Sequence, residues 1–141
     1  MRHDRYLCFS LGDESFALPL LNVREVLAQP EIVPVPHTPS YFQGLMNLRG
    51  QVVSVMDLRL KLGVKPRLDS SECVVIICAL EGFVVGITVD AVNSVVAPKE
   101  EELSSEAGHR DYLAGVYRHG QELVLLLDVA RALSLSAPAA A

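Results

Sequence analysis

The pattern of the 141-residue chain repeats at an interval of about 70 residues, and this duplication limits what the chain can fold into. Apolar residues recur at matching positions in the two copies, and a Gly and an Asp recur at the same spacing. The matching segments are 17–28 with 86–97, 41–45 with 112–116 and 52–58 with 123–129. Alone, a unit of this size buries only roughly 60% of the surface of its unfolded chain. We therefore expect two similar units packed along a shared apolar seam.

Short strands and turns account for most of each half. Residues 6–11 and 16–20 are apolar and flank the turn-forming stretch 12–15, which is the pattern of a β-hairpin. Residues 73–80 and 83–89 repeat that pattern in the second half. Short strands separated by turns at intervals of roughly 8–12 residues favour a sandwich or a barrel. The sequence therefore predicts a mostly all-β fold with a few short helical turns.

The same pattern predicts the organisation of the chain. We expect residues 1–134 to form a single domain, with half-repeats at about 6–63 and 72–134. The polar stretch 64–71 is predicted to be the linker between the halves. The tail 135–141, rich in Ala, is predicted to be disordered because chain termini that nothing ties down are poorly ordered.

The sequence gives little support for catalysis or for a metal site. Cys8, Cys73 and Cys78 lie in apolar stretches without a C-x-x-C motif, so we interpret them as buried thiols. The four histidines lack metal-ligand spacing, and phosphate-binding and hydrolase motifs are absent. Asp57 and Asp128 each follow a strand, and we interpret them as caps of short helical turns rather than as a carboxylate pair. We therefore expect a protein that is not an enzyme and holds no cofactor or metal.

Charge and hydropathy argue against three further classes: nucleic-acid-binding, membrane-spanning and secreted proteins. The net charge is −5, with +1 on residues 1–70 and −6 on residues 71–141, whereas nucleic-acid binding usually needs a basic stripe. The longest apolar run, residues 73–80, is far shorter than the about 20 residues that span a bilayer. No secretory signal segment follows the charged N-terminus, so we expect a cytoplasmic protein without direct membrane insertion or nucleic-acid binding.

One loop stands out once strands and turns are assigned. Residues 47–50 (Asn-Leu-Arg-Gly) lie between two predicted strands, and Gly50 can adopt a positive φ. This turn is expected to aim Leu48 and Arg49 outward from a rigid base. Arginine is a favoured interface residue because its planar fork pairs with carboxylates and its stem packs on apolar surface. A solvated surface arginine fits the loop equally well on geometry alone.

The residues around this loop resemble a known family. The run 42–59, Phe-Gln-Gly-Leu-Met-Asn-Leu-Arg-Gly-Gln-Val-Val-Ser-Val-Met-Asp-Leu-Arg, is similar to the signature of the CheW family of chemotaxis coupling proteins. Four other stretches resemble the family too: 7–16, 20–26, 34–39 and 85–92. The resemblance covers about residues 6–134, nearly the whole chain.

The resemblance implies both a fold and a function. The family fold is a pair of packed, five-stranded SH3-like β-barrels. The family is non-catalytic and uses no cofactor. It couples the cytoplasmic tips of chemoreceptors to the regulatory domain of a CheA-type histidine kinase. A member of this family is cytoplasmic and is recruited to the inner face of the membrane through the receptors.

The resemblance also implies which residues of this chain meet partners. By position in the matching motifs, the partner-binding residues are Val23 and Glu25 together with the loop residues Asn47, Leu48, Arg49 and Gly50. Gly44 and Asp57 are expected to do structural work close to this site.

Three other functions remain open from the sequence. The chain could be a CheW-like coupler in a non-flagellar motility pathway or another chemosensory-like pathway. It could be a small β-barrel that binds a ligand, which a pocket lined by convergent ionisable groups would support. It could also bind nucleic acid through SH3-like barrels, although the acidic second half argues against this.

Overall fold

The computed structural model describes residues 5–28, 30–65, 73–105 and 110–133. In these residues the chain forms eleven strands: β1 Tyr6–Leu11, β2 Glu14–Pro19, β3 Val23–Ala28, β4 Phe42–Leu48, β5 Gln51–Asp57, β6 Val74–Leu80, β7 Phe83–Val89, β8 Ala91–Val96, β9 Leu103–Ser104, β10 Leu113–His119 and β11 Glu122–Leu127. Two short α-helices, α1 Leu58–Leu62 and α2 Val129–Ala132, follow β5 and β11. Single 3-10 turns cover Leu20–Asn22 and Glu100–Glu102. None of the helices in these ranges is long and apolar enough to cross a membrane.

The strands form two sheets. One has six strands in the order β8-β1-β2-β11-β10-β9, and the other has five in the order β3-β6-β7-β5-β4. The antiparallel pairs include the hairpins β1–β2, β4–β5, β6–β7 and β10–β11 and the long-range pairs β1–β8 and β3–β6. Two parallel pairs, β2 with β11 and β5 with β7, join one hairpin to another. The prediction of a mostly β chain with a few short helical turns is confirmed.

Each sheet contains strands from both halves of the chain. The first hairpin, β1–β2, joins the six-stranded sheet, whose other strands come from residues after 90. The hairpin β6–β7 of the second half joins the five-stranded sheet, whose other strands come from residues before 58. The two sequence repeats therefore exchange hairpins.

The duplicated pattern has matching structural elements. β4 and β10 each carry a register shift beside a glycine, Gly44 and Gly115, and each pairs with the strand that precedes a short helix. The Asp57 carboxylate accepts hydrogen bonds from the backbone N–H of Arg59 at 3.0 Å and of Leu60 at 3.5 Å. The Asp128 carboxylate accepts one from the N–H of Arg131 at 3.1 Å. The prediction that both aspartates cap helical turns is confirmed.

A shared apolar seam lies between the two sheets. We define the seam by the buried side chains that come from both of them, among which are Phe9, Phe16, Ile76, Ile87 and Leu127. The rings of Phe9 and Phe16 stack with their centroids 6.0 Å apart. Each sheet also has one smaller cluster of buried apolar side chains of its own. The expected seam is therefore present, and it accounts for how two small units share one core.

Parts of the predicted organisation fall outside the described residues. Of the predicted linker 64–71, the structure describes Val64 and Lys65. The predicted disordered tail 135–141 lies wholly outside the described residues. The half-repeat boundaries at 6–63 and 72–134 stay a prediction.

Candidate partner-binding surface

The turn between β4 and β5 holds Arg49 on a rigid base. Leu48 pairs with Gln51, so the turn has two residues, Arg49 and Gly50, and both have positive φ, at 49° and 88°. Tight hairpin turns of this kind match the right-handed twist of the flanking strands. The Asn47 side chain closes the turn, because its Oδ1 accepts a hydrogen bond from the N–H of Gly50 at 2.7 Å. The predicted positive φ at Gly50 is confirmed.

Arg49 occupies a backbone conformation that suits glycine better. The left-handed region costs a residue with a Cβ about 1–2 kcal/mol. In the second copy of the repeat, the corresponding position is Gly120, with φ of 63°. The first copy thus carries an arginine where the second carries the residue with the lower conformational cost.

Leu48 does not point outward, so this part of the sequence prediction is wrong. Its side chain is only 7% exposed and packs with Met46 and Val53 inside the five-stranded sheet. Side chains alternate between the two faces of a strand, so an exposed Asn47 places its neighbour Leu48 inside. Leu48 therefore supports the turn from beneath, and Arg49 alone of this pair reaches the solvent.

A bidentate ion pair joins Arg49 to Glu25. Arg49 Nη1 donates to Glu25 Oε1 at 3.3 Å, and Arg49 Nη2 contacts Glu25 Oε2. Glu25 lies on β3, which is one edge of the five-stranded sheet, and Arg49 follows β4, which is the other edge. Because the pair spans both edges, the sheet must curl back on itself. The curled sheet brings together two of the predicted partner-binding residues that are 24 positions apart in sequence.

The electrostatics of this pair are those of an exposed contact. The hydrogen bond from Arg49 is the main cause that lowers the pKa of the Glu25 carboxyl, and the same bond raises the pKa of Arg49. The Arg49 side chain is 70% exposed, so solvent screens the interaction. Most of the Arg49 side chain therefore remains exposed to a partner.

Val23 lies on the same strand as Glu25 but in different surroundings. It is half-buried and packs against the seam, and a register shift in the β3–β6 pairing separates it from Glu25. The structure thus brings Glu25 and Arg49 into contact, with Asn47 and Gly50 in the same turn. It places Val23 at the margin of the seam, where part of its side chain is covered by the protein itself.

Gly44 lies where the backbone of Val33 packs closely against β4. A Cβ built there would lie 2.3 Å from the carbonyl oxygen of Val33, far closer than such atoms can approach. That close approach accompanies two backbone hydrogen bonds, from the N–H of Val33 to the Leu45 carbonyl at 2.8 Å and from the N–H of Leu45 to the Val33 carbonyl at 2.9 Å. Gly115 repeats this arrangement, with its built Cβ 2.5 Å from the carbonyl oxygen of Ser104.

Sequence reasoning missed an exposed valine beside the turn. Val52 is 68% exposed and lies directly across from Asn47 in the β4–β5 pairing. The sequence pattern singled out no exposed apolar residue on this strand, whereas the alternation along β5 buries Val53 and Val55 and turns Val52 outward. We define the Arg49 surface as Glu25, Asn47, Arg49, Gly50 and Val52. It offers an apolar side chain, a guanidinium and a carboxylate for non-covalent contacts.

Within the ranges that the structure describes, no group of three or more His, Cys, Asp or Glu side chains is arranged to hold a metal ion.

Comparisons with known proteins place this arrangement in a family. The CheW-like domain family matches residues 5–137. A "Probable chemotaxis protein CheW" from Rhizobium etli is 30% identical over 87% of this chain and 83% of that relative. A "Chemotaxis protein CheW" from Klebsiella aerogenes is 30% identical over 92% of this chain and 81% of the relative. The crystal structure of the scaffolding protein TtCheW from Thermoanaerobacter tengcongensis superposes with a TM-score of 0.82 at 26% identity, covering 89% of each chain. These matches confirm the predicted fold class.

Proposed function

The chain belongs to the CheW-like domain family of chemotaxis coupling adaptors, and we propose that it joins the cytoplasmic tips of chemoreceptors to the regulatory domain of a CheA-type histidine kinase. The observation that carries the proposal is the family match, which extends over residues 5–137 and so includes the turn that presents Arg49. The adaptor itself makes and breaks no covalent bond. It works in the cytoplasm and reaches the inner face of the membrane through the receptors.

The Arg49 surface supports this proposal because it is preorganised. A two-residue turn, an Asn47 side chain bonded to it and the ion pair to Glu25 hold Arg49 in one place before a partner arrives. Preorganisation lowers the entropy that binding would otherwise cost. Exposed Val52 and the guanidinium supply the apolar and polar parts of a contact.

An adaptor of this kind influences a kinase only through differences in affinity. Ligand binding at the receptor changes the activity of the kinase when the adaptor binds one signalling state of its partners more tightly than the other. Single contacts of micromolar strength, about −8 kcal/mol each, suffice when many copies act together, since multivalency raises avidity.

The proposal is tested by capturing the tagged chain from its native cells and identifying bound proteins by mass spectrometry. We expect a histidine kinase and a chemoreceptor among the proteins recovered. An Arg49→Ala chain should recover less of at least one of them. Arg131→Ala is the matched control, because Arg131 is an exposed arginine beside an aspartate in the second half of the chain. Recovery of neither protein class with the wild-type chain would contradict the proposal.

A further inference from the structure

A buried arginine links two buried carboxylates beneath the surface of the molecule. The Arg59 side chain is only 3% exposed. Its Nε donates to Asp57 Oδ1 at 3.0 Å and its Nη2 to Asp57 Oδ2 at 2.9 Å, while Nη1 donates to Asp90 Oδ1 at 2.9 Å. The second oxygen of Asp90, Oδ2, accepts a hydrogen bond from the backbone N–H of Gly12 at 2.6 Å.

These contacts run from one sheet to the other. Asp57 ends β5 of the five-stranded sheet, and Arg59 lies in α1 directly after it. Asp90 lies between β7, in the five-stranded sheet, and β8, in the six-stranded sheet. Gly12 lies in the β1–β2 turn of the six-stranded sheet, and the N–H of Asp90 also donates to the carbonyl of Ser10 on β1 at 3.0 Å. We call Asp57, Arg59, Asp90 and Gly12 the inter-sheet network.

The β1–β2 turn packs closely against the chain that follows α1. A Cβ built on Gly12 would lie 2.8 Å from the carbonyl oxygen of Lys65 and 2.8 Å from a methyl carbon of Val64. The turn of the six-stranded sheet therefore rests directly on the chain that follows α1. A displacement between the sheets at this point would break hydrogen bonds to buried charged groups, which is costly.

The second copy of the repeat shows that capping a helix does not require such a network. At the offset of 71, Asp128 corresponds to Asp57 and still caps α2, but Ala130 corresponds to Arg59. The nearby Arg131 is 61% exposed, and its Nε lies 3.7 Å from Asp128 Oδ2. The buried guanidinium of the first copy therefore serves something other than the cap.

We propose that Arg59 is a positioning residue that fixes the orientation of the two sheets relative to each other. The seam between the sheets is apolar, and apolar contact is non-directional, so it holds the sheets together without selecting one angle. A planar guanidinium that bonds one carboxylate with two nitrogens and another with the third admits one geometry. The functional part of this inference rests on the proposed function, because an adaptor that holds two partners at once must present its surfaces at a constant angle.

The orientation is measured as a distance distribution between spin labels placed on equivalent exposed positions of the two sheets. Val52→Cys on β5 and Leu123→Cys on β11 provide these sites, and the native cysteines are buried. Arg59→Lys keeps the positive charge but loses the planar fork, so we expect a shifted or broader distribution. Arg131→Lys is the matched control and should leave the distribution unchanged. An identical distribution in Arg59→Lys and the wild type would overturn the proposal.

A second variant keeps the test decisive if Arg59→Lys does not fold. Asp90→Asn retains an oxygen that can accept from the Gly12 N–H but removes the ion pair with Arg59. We expect this variant to keep protected amide protons in both sheets while the distance distribution shifts. If both variants lose amide protection throughout the chain, the proposal is overturned, because Arg59 would then be needed for the fold itself.

A coupling measurement separates this proposal from the proposed function. Arg59→Lys should bind isolated kinase and isolated receptor with nearly wild-type affinity, but it should lose much of the kinase stimulation that requires both. Loss of affinity for each separate partner would contradict a positioning role. If the wild-type chain binds neither partner, the proposed function fails, while the distance distributions still decide whether Arg59 orients the sheets.

Discussion

At the scale of single residues, two neighbouring side chains that the sequence predicted to be exposed differ in their burial. Leu48, the last residue of β4, and Arg49, the first residue of the turn, are neighbours in sequence, yet Leu48 is buried and Arg49 is exposed. The sequence allowed the positive φ of Gly50 to be predicted, because glycine in a turn has a local cause. The burial of Leu48 depends on which face of β4 points inward, and the ion pair between Arg49 and Glu25 depends on sheet closure. Neither is contained in the local pattern.

Removing the Arg49 side chain should weaken partner binding without unfolding the chain. Arg49→Ala removes an exposed contact whose ion pair with Glu25 is screened by solvent, so the midpoint of urea denaturation should stay close to that of the wild type. Binding should weaken at least tenfold, roughly 1.4 kcal/mol, if Arg49 is a central contact. Titration calorimetry with a purified kinase regulatory domain and with a receptor fragment measures both affinities. Unchanged affinity for both would show that Arg49 is only a surface arginine.

A charge at Val23 distinguishes a surface role from a core role. Val23 is half-buried against the seam, so Val23→Asp places a carboxylate beside apolar side chains. We expect a folded chain that is destabilised by about 1–3 kcal/mol and binds its partner more weakly, because part of the side chain is exposed. Thermal unfolding and the same binding titrations measure these effects, with Val95→Asp, at an exposed valine on β8 of the other sheet, as the control. Insoluble protein would instead identify Val23 as core.

At the scale of elements, local sequence and long-range pairing contribute differently. The hairpins β1–β2 and β6–β7 follow from apolar runs on either side of short turns, and the capping roles of Asp57 and Asp128 follow from their position after a strand. The parallel pairs β2–β11 and β5–β7 could not be predicted. The paired strands are distant in sequence, and the local sequence of an apolar strand does not specify which other strand it will pair with.

Gly44 should be more sensitive to substitution than the turn glycine nearby. Gly44→Ala places a Cβ against the Val33 carbonyl and should disturb the two hydrogen bonds between Val33 and Leu45, with a loss of about 2–4 kcal/mol in the free energy of unfolding. Gly50→Ala is the matched control: its Cβ meets nothing within 4 Å. It should therefore cost only the roughly 1–2 kcal/mol of a positive φ. Urea denaturation compares the two, and equal losses would contradict the close approach at Gly44.

At the scale of the whole molecule, the seam is what makes one cooperative unit of two sheets. Cys78 lies in this seam, and its burial raises the pKa of the thiol to about 12. Because both sheets contribute to the seam, we expect Cys78 to become accessible only when the whole chain unfolds. The shared seam was predictable from the duplicated apolar pattern, whereas the exchange of hairpins between the halves was not.

The pKa of Cys78 predicts a dependence of stability on pH. The folded chain retains the thiol proton up to about pH 12. An unfolded thiol releases its proton near a pH of about 8.5. Stability from this group is therefore fully present below about pH 8.5 and falls as the pH rises further, by at most about 1.4 kcal/mol per pH unit. Urea denaturation between pH 7 and 10 should show a shallower decline for Cys78→Val than for the wild type. Equal slopes would contradict the burial of this thiol in a cooperative seam.

The proposed function requires that this chain physically connects a receptor to a kinase. The most direct measurement is sedimentation of membranes that contain chemoreceptors, mixed with purified CheA-type kinase, with and without the chain. We expect kinase to sediment with the membranes in proportion to the added wild-type chain, and we expect Arg49→Ala to bring down less kinase than Arg131→Ala does. Kinase that stays in the supernatant at every concentration of wild-type chain would contradict the proposed function.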